Sequence, residues 1–222
     1  MVSKNIRRFI LLCLAVWMSL GFYIFPGIKG WRLDTSTTAG KKVFISLTPS
    51  GRSITNDLPA SDTLAASGAT LTDTQILASV IADYNAITDS NLNLVTSADS
   101  DFASYKTEHQ ITISEGSAAG ASSGEANLTF KSSYITDCVI SITPTAYSSA
   151  KNLVHLLSHE IGHCIGLQHA QESVYSVMSY FYNEDDAYRL AIDDKMGIIN
   201  LYGKNASNSD EKATFGFACA TQ

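Results

Sequence analysis

The chain has 222 residues, 45% of them hydrophobic, which is enough apolar material for one hydrophobic core without a second domain. Its formal net charge is -6, and no basic cluster follows the first eight residues. A protein that binds nucleic acid needs a basic surface, so the charge distribution excludes this class. The composition therefore predicts a single folded domain.

The N-terminus has the pattern of an export signal. Basic residues up to Arg8 precede an apolar run from Phe9 to Phe25, which is about 17 residues long against about 20 for a typical membrane-spanning helix. Residues 1–26 are therefore predicted to be a signal peptide, with an uncleaved N-terminal anchor as the alternative. The chain is expected to be secreted or extracytoplasmic, and any membrane attachment is expected only through this segment.

The order of predicted elements indicates an α+β domain over residues 41–203. A connector at 27–40 leads to alternating apolar residues at 42–47, which predict a strand. Thr72 and Gln75 form a capping box before apolar residues at helical spacing, and this pattern predicts an amphipathic helix. Further strands are predicted at 92–96, 110–114, 125–130 and 137–143, with a surface loop at 114–124.

A second long helix is predicted to begin near Ala150, after Pro144 ends the last strand. A final helix is predicted at 192–202, with Gly203 as its C-cap. The polar residues 204–222 are predicted to be a C-terminal tail.

The second long helix carries a metal-binding pattern. His159 and His163 are four residues apart, so on a helix their imidazoles project from one face and can hold one ion. Gly166 permits the turn that brings a third imidazole, His169, to the same ion. Zinc is tetrahedral, and three histidines leave the fourth position to water, as in catalytic sites. The sequence therefore predicts one zinc ion, with Glu160 as the general base for the water.

The residues from His159 to His169 resemble the metzincin signature His-Glu-x-x-His-x-x-Gly-x-x-His. Ser-Val-Met-Ser-Tyr at 176–180 resembles the methionine-containing turn, or Met-turn, that follows this signature in metzincins. The interval of nine residues from His169 to Met178 is short, as in the matrixins, and 193–203 is similar to the end of the matrixin catalytic domain. The cysteine-containing pro-segment of animal matrixins is not found.

This resemblance covers residues 41–203 and implies a single metzincin-like catalytic domain. The implied fold has a mixed, mostly parallel five-stranded sheet, two long helices, an active-site helix, a Met-turn and a C-terminal helix. The implied function is zinc-dependent endopeptidase activity on polypeptides by a monomer. The alternative is a non-catalytic, zinc-containing binding or adhesion domain of the same fold, against which the intact Glu160 argues. No cofactor other than zinc is predicted.

Three further residues near the metal are assigned from the sequence. Met178 is predicted to pack beneath the zinc, because a thioether suits softer metals. His155 is predicted to be a packed histidine beside the site, because a fourth imidazole would exclude the water. Met178-Ser179-Tyr180 resembles the turn of serralysins and astacins, which implies that Tyr180 is a second catalytic residue. The alternative is that Tyr180 only lines the pocket wall.

The acidic residues 184–186 allow a pocket for a basic side chain, a weak calcium site or a solvated loop, and no residue pattern supports calcium further. Cys138 and Cys164 are predicted to form a disulfide, because the strand that contains Cys138 and the following helix run antiparallel with similar lengths. A buried free Cys164 is the alternative.

Overall fold

The computed structural model describes residues 29–33, 36–37, 39–105, 109–118, 123–170, 175–179 and 187–204. The predicted signal or anchor, Tyr180, the acidic residues 184–186 and the tail beyond residue 204 lie outside these ranges. None of the helices in the described ranges combines the length and hydropathy needed to span a bilayer.

The described residues contain a five-stranded sheet in the order β4-β1-β5-β7-β6 and a separate β2–β3 hairpin. The strands are β1 Lys42–Thr48, β2 Ser53–Thr55, β3 Thr70–Thr72, β4 Asn93–Thr96, β5 Gln110–Glu115, β6 Gly124–Lys131 and β7 Tyr134–Ile142. β4, β1, β5 and β7 are parallel, and only β6 runs antiparallel to its neighbour. The predicted mixed, mostly parallel sheet is confirmed.

The helices are α1 Asp73–Asn85, a short α2 Phe102–Tyr105, α3 Ala150–Cys164 and α4 Ile192–Tyr202. The predicted capping box begins α1, where the Thr72 hydroxyl accepts a hydrogen bond from the backbone amide of Gln75 at 3.2 Å. The Ser149 hydroxyl caps α3 by accepting a hydrogen bond from the backbone amide of Asn152 at 3.1 Å. Both caps satisfy amide hydrogens that have no partner within the helix.

The hydrophobic core lies between the sheet and the two long helices, α1 and α3. Along α1, the apolar positions predicted at helical spacing are buried, including Ile76 and Val80 at 0% exposure. The hydroxyl of Tyr84 on α1 donates to the Ser158 carbonyl on α3 at 2.6 Å. This bond fixes α1 against the helix that carries the metal-binding motif.

Residues 29–31, within the predicted connector, pack onto the end of α3. Trp31 is 2% exposed, and its indole N–H donates to the Cys164 carbonyl at 2.9 Å. Its backbone N–H donates to the Tyr202 hydroxyl, which in turn donates to the Ile165 carbonyl at 2.7 Å. These bonds satisfy carbonyl groups at the C-terminal end of α3 that have no partner within the helix.

The predicted Cys138–Cys164 disulfide is confirmed. It joins β7 to the last residue of α3, with the two Cα atoms 5.6 Å apart and a sequence separation of 26. The alternative of a free, buried Cys164 is wrong. The end of the metal-binding helix is therefore covalently attached to the sheet.

Replacing both cysteines by alanine is expected to lower the free energy of unfolding by about 3 kcal/mol, because the bond restricts a loop of this length in the unfolded chain. Urea unfolding of the oxidised exported protein and of the double variant measures the difference. An unchanged unfolding free energy would contradict a stabilising role for the bond.

Candidate metal centre and active site

Three histidines converge at the end of α3. His159 and His163 lie one turn apart on the helix, and Gly166, with φ +104, turns the chain so that His169 faces them. Their Nε2 atoms lie 3.1 Å (His159–His163), 3.1 Å (His159–His169) and 3.2 Å (His163–His169) apart. Within the described ranges, this is the group of residues that could hold a metal ion.

The separations of these nitrogens fit zinc. Nitrogens about 2.0–2.1 Å from a tetrahedral zinc ion lie about 3.3–3.4 Å from each other, close to the distances between the three imidazoles. Burial lowers the pKa of His163 to about 3 and that of His169 to about 4. The imidazoles are therefore neutral at pH 7, which is the form that binds metal.

Backbone carbonyls orient two of the imidazoles. Nδ1 of His159 lies 2.8 Å from the Val177 carbonyl oxygen, and Nδ1 of His163 lies 2.9 Å from that of Leu167. Because a carbonyl only accepts, each Nδ1 carries the hydrogen and donates it. Each Nε2 therefore presents its lone pair to the metal, an arrangement typical of histidine ligands.

Met178, predicted to pack beneath the zinc, is buried against Gly162 of α3. It is 0% exposed, and its backbone carbonyl accepts a hydrogen bond from the Ala170 amide at 2.7 Å. A Cβ atom at Gly162 would lie 2.3 Å from the Met178 sulfur, so this helical position must be glycine for the methionine to fit. The Met-turn thus packs directly against α3 and supports His169 through its neighbour in sequence.

Asp194 on α4 holds the Met-turn in place. Its carboxylate is 0% exposed and accepts hydrogen bonds from the Ser176 hydroxyl, the Val177 amide at 3.0 Å and the Met178 amide at 3.4 Å. The Ala191 amide also donates to it, at 2.8 Å. Because the Val177 carbonyl orients an imidazole, Asp194 connects α4 to the metal centre.

Asp194→Ala is expected to lower the free energy of unfolding by about 3 kcal/mol or more, because several buried donors lose their acceptor. It is also expected to weaken zinc binding through the displaced Val177 carbonyl. Urea unfolding and zinc titration measure the two effects. Asp193→Asn, at the exposed neighbouring position, is the control and should change stability by less than about 1 kcal/mol. Equal stabilities for the two variants would refute this role.

Glu160 lies between the metal-binding helix and the edge strand β6. The residue is 5% exposed, and burial raises the pKa of its carboxyl to about 7. The backbone amide of Ala126 on β6 donates to this carboxyl and lowers the pKa, while the nearby Glu125 raises it. The β6 backbone and burial together thus set the environment of this carboxyl.

The other residues assigned from the sequence are placed as follows. His155 lies one turn before His159 on α3, with ring centroids 6.0 Å apart, and stays outside the group that could hold a metal. The structure thus agrees with a packed histidine beside the site. Tyr180 lies outside the described residues. The contact of the Ala126 amide with Glu160 and the contacts of Asp194 with the Met-turn were not predicted from the sequence. The Asp193-Asp194 pair was the one sequence signal that could have pointed to Asp194.

The matrixin family model matches residues 72–203. A stretch of 65 residues is 35% identical to matrix metalloproteinase-26 of Homo sapiens, and it covers 29% of this chain and 25% of that protein. The match thus spans about a quarter of the length of this relative.

Two solved structures are similar at low sequence identity. One is the GM1-bound form of the ECX AB5 holotoxin, with a TM-score of 0.47 and 13% identity over 83% of this chain and 90% of that one. The other is high choriolytic enzyme 1, a hatching-enzyme zinc protease from Oryzias latipes, with a TM-score of 0.43 and 10% identity over 77% of this chain and 92% of that one.

The family model covers more than half of the chain and includes α3, the three histidines, Met178 and α4. Its match agrees with the resemblance found in the sequence and with a histidine group that fits zinc. The chain therefore belongs to the matrixin family.

Proposed function

We propose that this chain is a zinc-dependent endopeptidase that hydrolyses peptide bonds of exported polypeptides. The observation that carries the proposal is the convergence of three imidazole nitrogens within 3.2 Å of one another, with the Glu160 carboxyl on the same helix. Family membership supports the same activity.

His159, His163 and His169 are proposed to hold the zinc ion. When bound, zinc acidifies a water molecule and polarises the carbonyl of the peptide bond. Met178 forms the floor of the site and is not a ligand. Calcium is not part of the proposal.

Glu160 is proposed to be the general base. Between two ligand histidines it cannot itself reach the ion, but its carboxylate can accept a proton from the attacking water and pass it to the leaving amine. Its burial excludes competing solvent, and the Ala126 amide holds the carboxylate in one orientation. These features support a base with a fixed position and a pKa suited to neutral pH.

The edge strand β6 is the proposed platform for the substrate. Within the described part of the sheet, β6 is an edge strand that pairs with β7. An extended peptide that adds to this edge as a further strand would lie beside Ala126 and therefore beside Glu160. This geometry favours polypeptides over small molecules as substrates.

Tyr180 is proposed as a second catalytic residue, on the basis of its position two residues after Met178. Its phenol would donate to the oxyanion that forms on the substrate carbonyl. Tyr180→Phe removes only the hydroxyl and is expected to lower kcat about 100-fold with KM little changed, as for one lost oxyanion donor. Steady-state kinetics tests this, and an unchanged kcat would leave Tyr180 as a wall of the pocket.

The proposed organisation of the chain follows its sequence. Residues 1–26 direct export and are cleaved or kept as an anchor, and residues 41–203 form the catalytic domain, which acts outside the cytoplasm as a monomer. Residues 204–222 are proposed to be a tail outside this domain.

Cleavage of a random peptide library by the purified chain distinguishes an endopeptidase from a binding domain of the same fold. The expected result is cleavage at internal bonds, identified by mass spectrometry, that stops with a chelator and returns with zinc. A chain that binds zinc but leaves every peptide intact would favour the binding domain.

A further inference from the structure

We propose that Asp62 is a positioning residue that determines which peptides the active site prefers. Asp62 lies in the hairpin segment, defined as residues 49–72, which includes β2 and β3. It would act by fixing the return segment, defined as residues 187–191, which leads into α4. This inference rests on the proposed function.

Asp62 binds the return segment through a buried carboxylate. Its side chain is 1% exposed and accepts from Nε of Arg189 at 2.6 Å and from Nη2 at 2.9 Å. The Tyr188 hydroxyl and the Leu64 amide also donate to it, each at 2.9 Å. Both carboxylate oxygens are thus engaged in a bidentate pair, which fixes orientation as well as distance.

The charge of this pair is maintained in the fold. Burial raises the pKa of Asp62, but the hydrogen bonds from Arg189, Leu64 and Tyr188 outweigh it, so the pKa lies below its usual value. Nη1 of Arg189 also donates to Asp83 on α1. The guanidinium therefore holds the return segment to the hairpin segment and to α1 together.

The hairpin segment also contacts the first turn of the metal-binding helix. Asp57 accepts from the backbone amide of Lys151 at 2.9 Å, and the Lys151 ammonium lies 5.7 Å from the centre of the Tyr188 ring. The start of α3 and the return segment are therefore held by the same hairpin segment.

One face of α3 leads from the contact between Lys151 and Tyr188 to the three histidines. Lys151, His155 and His159 are spaced four residues apart, so they lie on the same face of the helix over about 12 Å. The return segment packs against the first of them and continues into the helix that carries Asp194. In this proposal, a substrate side chain that extends past His159 along this face would meet the return segment, whose position depends on Asp62.

The expected effect of losing the ion pair is on substrate binding. In Asp62→Asn the three histidines and Glu160 keep their own contacts, so kcat should stay within about threefold of the wild type. A displaced wall should raise KM for the best library peptide by about tenfold or more, because misplacement by about 1 Å has effects of this order. The order of kcat/KM among three peptides that carry Ala, Leu or Phe directly after the cleaved bond should also change.

The test compares kcat and KM of the full chain for these three peptides in the wild type, Asp62→Asn, Tyr188→Phe and Arg52→Gln. Tyr188→Phe removes one hydroxyl donor and should shift the ranking in the same direction by a smaller factor without threatening folding. Arg52→Gln is the matched control, because Arg52 lies in the same hairpin segment but pairs with Glu115 on β5, at 32% and 35% side-chain exposure. It should leave the ranking unchanged.

Hydrogen exchange gives a readout independent of activity. Backbone amide hydrogens of residues 187–191 should exchange faster in Asp62→Asn than in Arg52→Gln. Both variants should bind the same amount of zinc. If the wild type cleaves no peptide, the proposed function fails. If it cleaves but Asp62→Asn and Tyr188→Phe both keep the wild-type ranking, the role of Asp62 is refuted.

Discussion

Glu160→Gln is expected to bind one zinc ion and to hydrolyse peptides about 10²–10⁴-fold more slowly than the wild type, because a positioned general base contributes this much to the rate. The amide has the shape of the carboxyl, and its oxygen can still accept from the Ala126 amide. The three histidines are unaffected. Elemental analysis and kcat on the same preparation therefore separate metal binding from proton transfer.

The matched control is Glu125→Gln, which removes a carboxylate near Glu160 on β6. Because Glu125 acts on the base by raising its pKa, this variant should keep kcat within about threefold of the wild type at neutral pH. Hydrolysis by Glu160→Gln at the wild-type rate would show that another group accepts the proton.

His163→Ala is expected to abolish hydrolysis and to weaken zinc binding by more than about 100-fold, since loss of a ligand should exceed the 10–100-fold effects of its supporting contacts. It leaves two imidazoles, too few for a site with one open position. In the wild type, bound zinc stabilises the folded state, so a chelator should lower Tm. The same chelator should leave the Tm of His163→Ala unchanged. Zinc titration and thermal unfolding measure both effects.

His155→Ala is the control on the same helix. Its ring lies beside His159 but outside the metal-binding group, so zinc affinity should stay within about tenfold of the wild type. Equal zinc affinities of His163→Ala and the wild type would contradict the ligand assignment.

Local patterns predicted the elements that position the site. The capping box at Thr72 and the helical spacing after it identified α1, and the His-Glu-x-x-His spacing placed two ligands on one face of α3. The Cys138–Cys164 bond followed from element lengths alone. Each of these features depends on residues close in sequence or on one short connection, which is why sequence periodicity was sufficient.

Irregular features of the sheet were beyond such patterns. The strand predicted at 137–143 begins earlier, at Tyr134, and a bulge in it leaves Thr136 without a register partner on β6. Ile135 and Cys138 are both buried although they are three residues apart, so the alternation of a regular strand is lost. The β2–β3 hairpin was missed because its strands have only three residues each.

Long-range polar contacts around the site were also not predictable. Asp194 contacts Ser176 across 18 residues, and Asp62 contacts Arg189 across 127 residues. A carboxylate has the same local sequence pattern whether it is solvated or buried against such a partner. Only the folded arrangement shows which acidic residues support the Met-turn and the return segment.

The most direct test of the central claim is a zinc titration of the metal-free full chain in which bound zinc and peptide hydrolysis are measured in the same samples. Hydrolysis by the wild type should rise in proportion to bound zinc and reach its maximum at one ion per chain, while Glu160→Gln should bind the same amount without hydrolysis. Hydrolysis in the absence of zinc, or no hydrolysis at full occupancy, would contradict the assignment of this chain as a zinc endopeptidase.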